Sequence, residues 1–499
     1  MNKIISAVSI ALLCSAANAA QPEGGALEQL SKTAGAKAKA EVPAPVAREA
    51  ESLCHHGQVP PCPGAAVESE QAYAEWQAAE KLYADSVYQP RPQARIDAGP
   101  SYDVMFQGFH WFADNYWLHS QNGWWGVLES KAGILASTGF TMVWFPPAAV
   151  GSYYPTEWYN LHSQWGDKKH LLSAIGAMHR NNIKVIADVV LNHRNGRDNW
   201  ADFYNPNWPS NVVLQDDEWP GDYTKPYNGK STNYDEAMKD DGCRDIDQTN
   251  PLVQKDIRVF LRWLRHTIGY DGWRYDFVNG YAPYHVGDYN AASGPAFSLG
   301  EYWQRDRKVI MNWIDGTDNA GGKASASSAF DYPTYFNLVN ATENGDYAVL
   351  NDGGKPSGII GWWPNKGLTF VENHDTSPRD SGFIANAPQA YRDQRMQMYA
   401  YILTHPGLPC VFWPHFFDWG QDYQSRIAKL VQIRKAAGIH SMSKVQVLAG
   451  ERNLYAAITS GERQNVAVKL GSSWAWNPPG EKWALAASGN NYAVWTQPK

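Results

Sequence analysis

Between Asp103 and about Gly420 the chain repeats one unit, and that repetition limits the folds open to it. A short apolar run that reads as a strand is followed by an amphipathic segment that reads as a helix. Strand patterns fall at 104–109, 141–146, 184–191, 272–278, 298–302, 329–336, 368–372 and 410–414. Helical spacing falls between them, as at 125–137, 169–181, 254–267 and 393–404. Strands joined through helices pair in parallel, so the pattern predicts an α/β fold, a (β/α)8 TIM barrel spanning 101–420.

One connection breaks the rhythm. Residues 194–250 are long, polar and rich in Asp, Asn, Trp, Tyr and Pro, which predicts a small subdomain inserted after strand 3. Loops that follow strands lie on the catalytic face of such barrels. Beyond the barrel, a helix at 424–437 precedes short alternating stretches at 445–448, 454–458, 465–470, 482–486 and 492–496. They predict a C-terminal antiparallel β domain over 421–499.

Upstream of the barrel the reading changes character. Residues 1–20 carry Lys3, an apolar run and the small residues Ala17-Asn18-Ala19, the pattern of a secretory signal peptide. No stretch is apolar enough to span a bilayer, so no membrane is expected as a partner and the protein is expected to be secreted, extracellular or periplasmic. Residues 21–100 read as a linker and N-terminal extension of unknown role, with helical spacing at 69–84. Cys54 and Cys62 flank a Pro-rich turn and suit a disulfide in an oxidising compartment. A metal clip with His55 and His56 is the alternative, but it fits no standard zinc spacing.

The candidate chemistry sits at strand ends. In the stretch G-Y-D-G-W-R-Y-D-F-V-N-G-Y, residues 269–281, Arg274 and Asp276 alternate with Trp273, Tyr275 and Phe277. Charge on an inward strand face needs a partner or a ligand, because burying it alone is costly. The third strand ends in Asp188, Asn192 and His193, the fifth in Glu301 and Trp303, and the seventh in His374 and Asp375. Asp276, Glu301 and Asp375 thus converge on one rim. A pair of carboxyl groups is what glycoside hydrolysis requires, one attacking the anomeric carbon while the other protonates the leaving oxygen. Arg274 would keep Asp276 ionised, and Glu301, near other negative charge, would keep its proton longer. Asp375 can hydrogen-bond sugar hydroxyls and favour developing positive charge, and His193 and His374 can donate to the same hydroxyls. Any one of these residues alone would more often be a helix cap or a core group. On spacing alone, metal-dependent hydrolysis stays open, since Asp, Glu and His on barrel strands also build metal sites.

Composition enters in two places. A net charge of −7 argues against nucleic acid as the main partner. The 23 Trp and 27 Tyr suit either a large core or a surface for sugar rings.

The segments D-V-V-L-N-H-R, G-W-R-Y-D-F-V-N-G, G-E-Y-W and F-V-E-N-H-D occur in this order. They resemble the short conserved segments of the α-amylase family, glycoside hydrolase family 13. G-F-T-M-V-W-F-P-P, G-I-I-G-W-W-P and the tail G-N-N-Y-A-V-W resemble its plant-type branch. The resemblance implies a secreted, endo-acting α-amylase that cleaves α-1,4-glucosidic bonds of starch, glycogen or maltooligosaccharides, acting as a monomer. It implies Asp276 as nucleophile, Glu301 as acid/base and Asp375 as transition-state stabiliser. It places Arg274, His193, His374 and Tyr153 around the attacked sugar, with Trp303 on the leaving-group side. It also implies a structural Ca2+ held between the barrel and the inserted subdomain, with Asn192, Asp222, Asp235 and the Gly280 carbonyl as ligands. Asn279 stands where the family often has Lys or Arg, which bears on acceptor-side contacts. A maltooligosaccharide-forming amylase, a transglycosylase and a noncatalytic starch-binding protein are the alternatives.

Overall fold

The computed structural model describes residues 65–89, 100–113, 122–197, 201–216, 230–234, 236, 244–318 and 326–499. Short apolar strands form where a helix can return the chain to the neighbouring position. They are β1 (Met105–Gln107), β2 (Met142–Phe145), β3 (Lys184–Val189), β4 (Gly272–Tyr275), β5 (Phe297–Gly300), β6 (Ser328–Phe330), β7 (Gly367–Phe370) and β8 (Leu408–Phe412). All pairings are parallel, and β8 pairs with β1 to close the barrel. Met105 lies opposite Met142 on one side and Cys410 on the other.

The connecting helices show why the chain returns. In α3 (Lys168–Arg180), Asp167 caps the first turn by accepting from the His170 N–H. Leu171, Ile175 and Met178 then fall on one buried face. Burying each is worth about 1.5–3 kcal/mol relative to exposure. In α4 (Pro251–Trp263), Asn250 caps the helix, Pro251 sits in the first turn, and Val253, Ile257, Phe260 and Leu261 are buried.

All eight strands end before the expected runs do, and the two largest shortfalls have a visible cause. The run 329–336 is strand only through Phe330. Asp331 then accepts from the Thr334 N–H and Pro333 lies in the first turn of a helix, Tyr332–Asn344. The run 272–278 stops at Tyr275, because Phe277 adopts φ 41° and a tight turn follows at Val278–Gly280.

After the barrel, helix Gln421–Ala437 leads into a five-stranded antiparallel sheet. Its strands are Lys444–Glu451, Leu454–Ser460, Gln464–Leu470, Ala484–Gly489 and Tyr492–Pro498. The described part of the insertion is organised by Arg194, which is fully buried. Its guanidinium donates to the carbonyls of Pro206 (2.9 Å), Thr156 (3.0 Å) and Tyr204, and lies against the rings of Trp158, Phe203 and Trp208.

The N-terminal helix α1 (Ala65–Tyr83) docks on α4 with Ala72 and Ala79 buried. Glu75 pairs with Lys168, Glu80 with Lys255 (2.7 Å), and Asp85 with Arg258 (2.6 Å) and Arg262 (2.7 Å). Ser69 donates to Glu157 at 3.0 Å. Cys54, Cys62, the signal-like stretch, Asp222 and Asp235 lie outside the described residues. Among the described residues no helix is long and apolar enough to cross a membrane.

Candidate active site

At the C-terminal rim of the barrel three carboxyl groups meet one guanidinium. Arg274, on β4, is wholly buried. Its Nη1 lies 2.7 Å from Asp188 Oδ1 and 2.5 Å from Asp276 Oδ1, and its Nη2 lies 2.5 Å from Glu301 Oε1. The period-two pattern of residues 272–276 produces this, since Arg274 and Asp276 share the inward face. Asp276 still bonds the neighbouring strand, donating its N–H to the Val189 carbonyl at 3.0 Å. The next residue turns the chain outward, and its left-handed backbone costs about 1–3 kcal/mol for a side chain such as phenylalanine. That turn aims the Phe277 N–H at Glu301 Oε2, 3.0 Å away.

One cation cannot neutralise this many anions. Burial, then the charges of Asp276 and Asp375, pushes the Glu301 carboxyl well above its ordinary range; Arg274 and the Phe277 N–H oppose that rise without cancelling it. Burial also raises Asp375, whereas Arg274, Arg379 and a hydrogen bond with Glu301 pull it down. The net direction for both groups is up, toward the protonated form. Asp188 too is raised by burial, against Arg274, the Tyr153 hydroxyl (2.8 Å) and the Trp144 indole N–H (3.1 Å). Its task is visible only in the fold: it ties Arg274 to Tyr153. In sequence it was one strand-end acid among several.

Aromatic side chains wall the cluster. Tyr153 stacks on His374 with centroids 5.2 Å apart and planes 16° apart. The Gln107 amide donates to His374 Nδ1 at 3.0 Å, so Nε2 carries the ring proton and points at Asp375 Oδ2, 3.2 Å away. Burial, then Arg274, pushes the His374 pKa well below its ordinary value, which keeps the ring neutral. His193 Nε2–H donates to the Tyr153 carbonyl at 2.8 Å and so fixes the loop that carries the stacking ring. Trp111, unmarked in the sequence, completes this wall against Tyr153 (5.4 Å) and His374 (5.1 Å). Trp303 is half-buried and stacks on Tyr332 at 4.3 Å. Asn279 stands where the family often has a longer basic side chain. It is buried, and its Oδ1 accepts from the Trp303 N–H at 2.9 Å, so the side chain holds a loop instead of reaching toward the acceptor side.

Asn192 and Gly280 meet closely. A β-carbon at residue 280 would lie 2.0 Å from Asn192 Oδ1, so only glycine admits this approach. The Asn192 amide donates to Asp245 Oδ1 at 2.9 Å, and Asp245 is buried. Asn192 thus stands between Gly280 and Asp245, and an amide oxygen and a carboxylate are donor types that calcium takes. Asp245 was not among the expected ligands; only the fold carries the far end of the long insertion back to β3. Among the described residues no three His, Cys, Asp or Glu side chains converge as a metal site.

Comparison with known proteins places this geometry among relatives. The family model "Alpha amylase, catalytic domain" matches residues 119–312, and "Alpha-amylase C-terminal beta-sheet domain" matches residues 436–496. Probable alpha-amylase 2 of Arabidopsis thaliana is 36% identical over 418 residues, covering 79% of this chain and 94% of the relative. Glucan 1,4-alpha-maltotetraohydrolase of Roseateles saccharophilus is 30% identical, covering 79% of this chain and 73% of the relative. An Anoxybacillus α-amylase structure superposes with a TM-score of 0.59 at 16% identity, covering 80% of this chain and 98% of that one, which is a likeness of fold.

Proposed function

From a chain that belongs to the α-amylase family, and is thereby a glycoside hydrolase, we propose a secreted, endo-acting α-amylase that cleaves α-1,4-glucosidic bonds of starch or glycogen with retention. The observation that carries the reading is the division of labour around Arg274. Asp276 is held against the cation at 2.5 Å, while burial and the neighbouring carboxylates push Glu301 toward its protonated form.

In the first step an Asp276 oxygen attacks the anomeric carbon, the glycosidic C–O bond breaks, and the leaving oxygen takes the Glu301 proton. In the second, the Glu301 carboxylate removes a proton from water, whose oxygen displaces Asp276 and restores both groups. Asp375 and the neutral His374 hydrogen-bond the ring hydroxyls, and the Asp375 charge favours the cationic transition state. Tyr153 offers a flat face to the attacked sugar, His193 fixes the Tyr153 loop, and Trp303 borders the leaving group. Asn192 and the Gly280 carbonyl, with Asp245 beside them, would hold a Ca2+ that ties the insertion to the barrel. Its contribution is structural.

Asp276→Asn and Glu301→Gln test the assignment. Each should abolish starch hydrolysis while the circular dichroism spectrum stays native, and wild-type cleavage by either variant would sink it. Retention predicts that the first product seen by NMR is the α-anomer.

A second reading is a maltooligosaccharide-forming enzyme. It draws on the likeness to a glucan 1,4-alpha-maltotetraohydrolase and on the inward turn of Asn279. A time course on soluble starch separates the two: a broad ladder of early products means endo attack, one dominant oligomer the alternative.

A further inference from the structure

One cation at the rim has no part in the chemistry above. Arg379 lies four residues beyond Asp375, with Nη2 3.2 Å from Asp375 Oδ1. Its guanidinium also lies over the Trp111 ring, 4.7 Å from the centroid. Its side chain is 29% exposed, so it stands at the mouth of the cleft instead of inside the barrel wall. The Trp111 indole N–H is buried and lacks a hydrogen-bond partner among the described residues. Trp111 follows β1 and Trp303 follows β5, and in the closed order these strands stand on opposite sides of the barrel. With Trp303 on the leaving-group side, Trp111 and Arg379 face the sugars on the other side of the cleaved bond.

We propose that Arg379, seated on Trp111, is a further specificity residue of the cleft: it contacts the glucan on the non-leaving side and positions Asp375. This rests on the reading of Asp375 given under Proposed function. Each Asp375 oxygen has a different neighbour, His374 Nε2 on Oδ2 and Arg379 Nη2 on Oδ1. A sugar hydroxyl that bonds Asp375 Oδ1 shares it with Arg379 or displaces it. When displaced, the planar guanidinium can turn to ring hydroxyls while its flat face stays on the indole, a pairing that lysine cannot reproduce.

The charges around Asp375 make the test specific. Arg274 reaches it from β4, Glu301 from β5, Tyr153 from the loop after β2, Tyr332 from the start of the helix after β6, and His374 and Arg379 from its own loop. Of the two cations in that set, Arg379 alone can be removed without stripping Asp276 of its partner. Removing it lets Asp375 take a proton at higher pH. Activity that needs the Asp375 anion is then lost sooner as pH falls, so the acid limb of kcat/KM moves up.

Arg379→Gln and Arg379→Lys, assayed in the full chain on maltoheptaose and on soluble starch, test this. Arg379→Gln should raise KM about tenfold and move the acid limb up by about one pH unit, the lower end of what one nearby charge does to a carboxyl group. Arg379→Lys should restore the acid limb but not KM. An unchanged profile and an unchanged KM in Arg379→Gln, at wild-type melting temperature, would overturn the proposal. Asp375→Asn keeps the two readings apart. If it retains activity, the role assigned to Asp375 fails. If it is inactive while Arg379→Gln behaves as wild type, only the role of Arg379 fails.

Discussion

Glu372 and Asp375 sit three residues apart at the end of the same strand, and the protein uses them in opposite ways. Glu372 is buried among donors. Its Oε1 accepts from Arg395 Nε (2.8 Å) and the Tyr391 hydroxyl, and its Oε2 from His415 Nε2 (3.0 Å). Tyr399 in turn meets His415 Nδ1 at 2.8 Å. Burial would raise Glu372, but Arg395 and His415 outweigh it and hold the carboxyl at about 2. Asp188, Asp276 and Glu301 instead divide Arg274 among them, Asp375 stands between Arg379 and His374, and Glu301 and Asp375 are pushed up. The carboxyl group with cations and donors of its own is held down, whereas Glu301 and Asp188, which share one cation with other carboxyl groups, are pushed up. A satisfied charge fixes a loop; an under-satisfied one is ready to exchange a proton.

The largest effect that would break this contrast is on activity. Glu301→Gln should lower kcat by at least about 10³-fold, within the range for losing a general acid. The same variant should match or exceed the wild type in chemical denaturation at neutral pH, because an amide avoids the cost of holding a carboxyl group protonated above its ordinary range. A large loss of stability would show that Glu301 is structural after all. Next comes Arg395→Met, which leaves Glu372 buried without its main partner. The expected cost is about 3–5 kcal/mol by urea unfolding, the range for breaking one side of a buried pair. A loss below about 1 kcal/mol would erase the distinction.

Acid titration should then give the two clusters opposite signs. The folded Glu372 is depressed, so its stabilisation is full above its ordinary value near 4.5 and is lost as pH falls toward about 2. Glu301 and Asp375 are raised, so they destabilise the fold when ionised, and protonating them as pH falls relieves that cost. Unfolding of Glu372→Gln and Glu301→Gln between pH 7 and pH 3 should show slopes that depart from wild type in opposite directions.

Smaller again is the calcium effect: a chelator should lower Tm by several degrees while added Ca2+ restores it, and an unmoved Tm would remove the metal from the account. The smallest should come from deleting residues 1–100. The ion pairs of α1 with Lys255 and Arg258 are partly exposed, and such pairs are worth about 0–1 kcal/mol each. Tm should fall by a few degrees with kcat on starch retained.

Much of this was legible in the sequence, and the reason is periodicity. Alternating strands and helices gave the barrel, and a barrel tells which end of each strand to search. Asp276, Glu301 and Asp375 followed from that. What escaped the reading depends on partners distant in the chain. Glu372 and Asp375 look alike in V-E-N-H-D, because Arg395 and His415 come from later elements. Asp188 and Trp111 show their tasks only when Tyr153 and His374 arrive beside them. Asp245 reaches Asn192 across 53 positions whose sequence carries no period to read. The run at 329–336 misled because Asp331 and Pro333 start a helix inside a stretch of strand-like aromatic residues.

The turn at Phe277 has an evolutionary consequence. The donor it presents to Glu301 belongs to the main chain, so exchanging the side chain does not delete it. Proline alone among the residue types lacks that N–H, and its ring requires φ near −65°, far from the 41° found here. Mutation can therefore vary what stands at position 277 and adjust the cleft around it. The contact with Glu301 does not depend on which side chain the position carries, so long as the backbone keeps its left-handed turn.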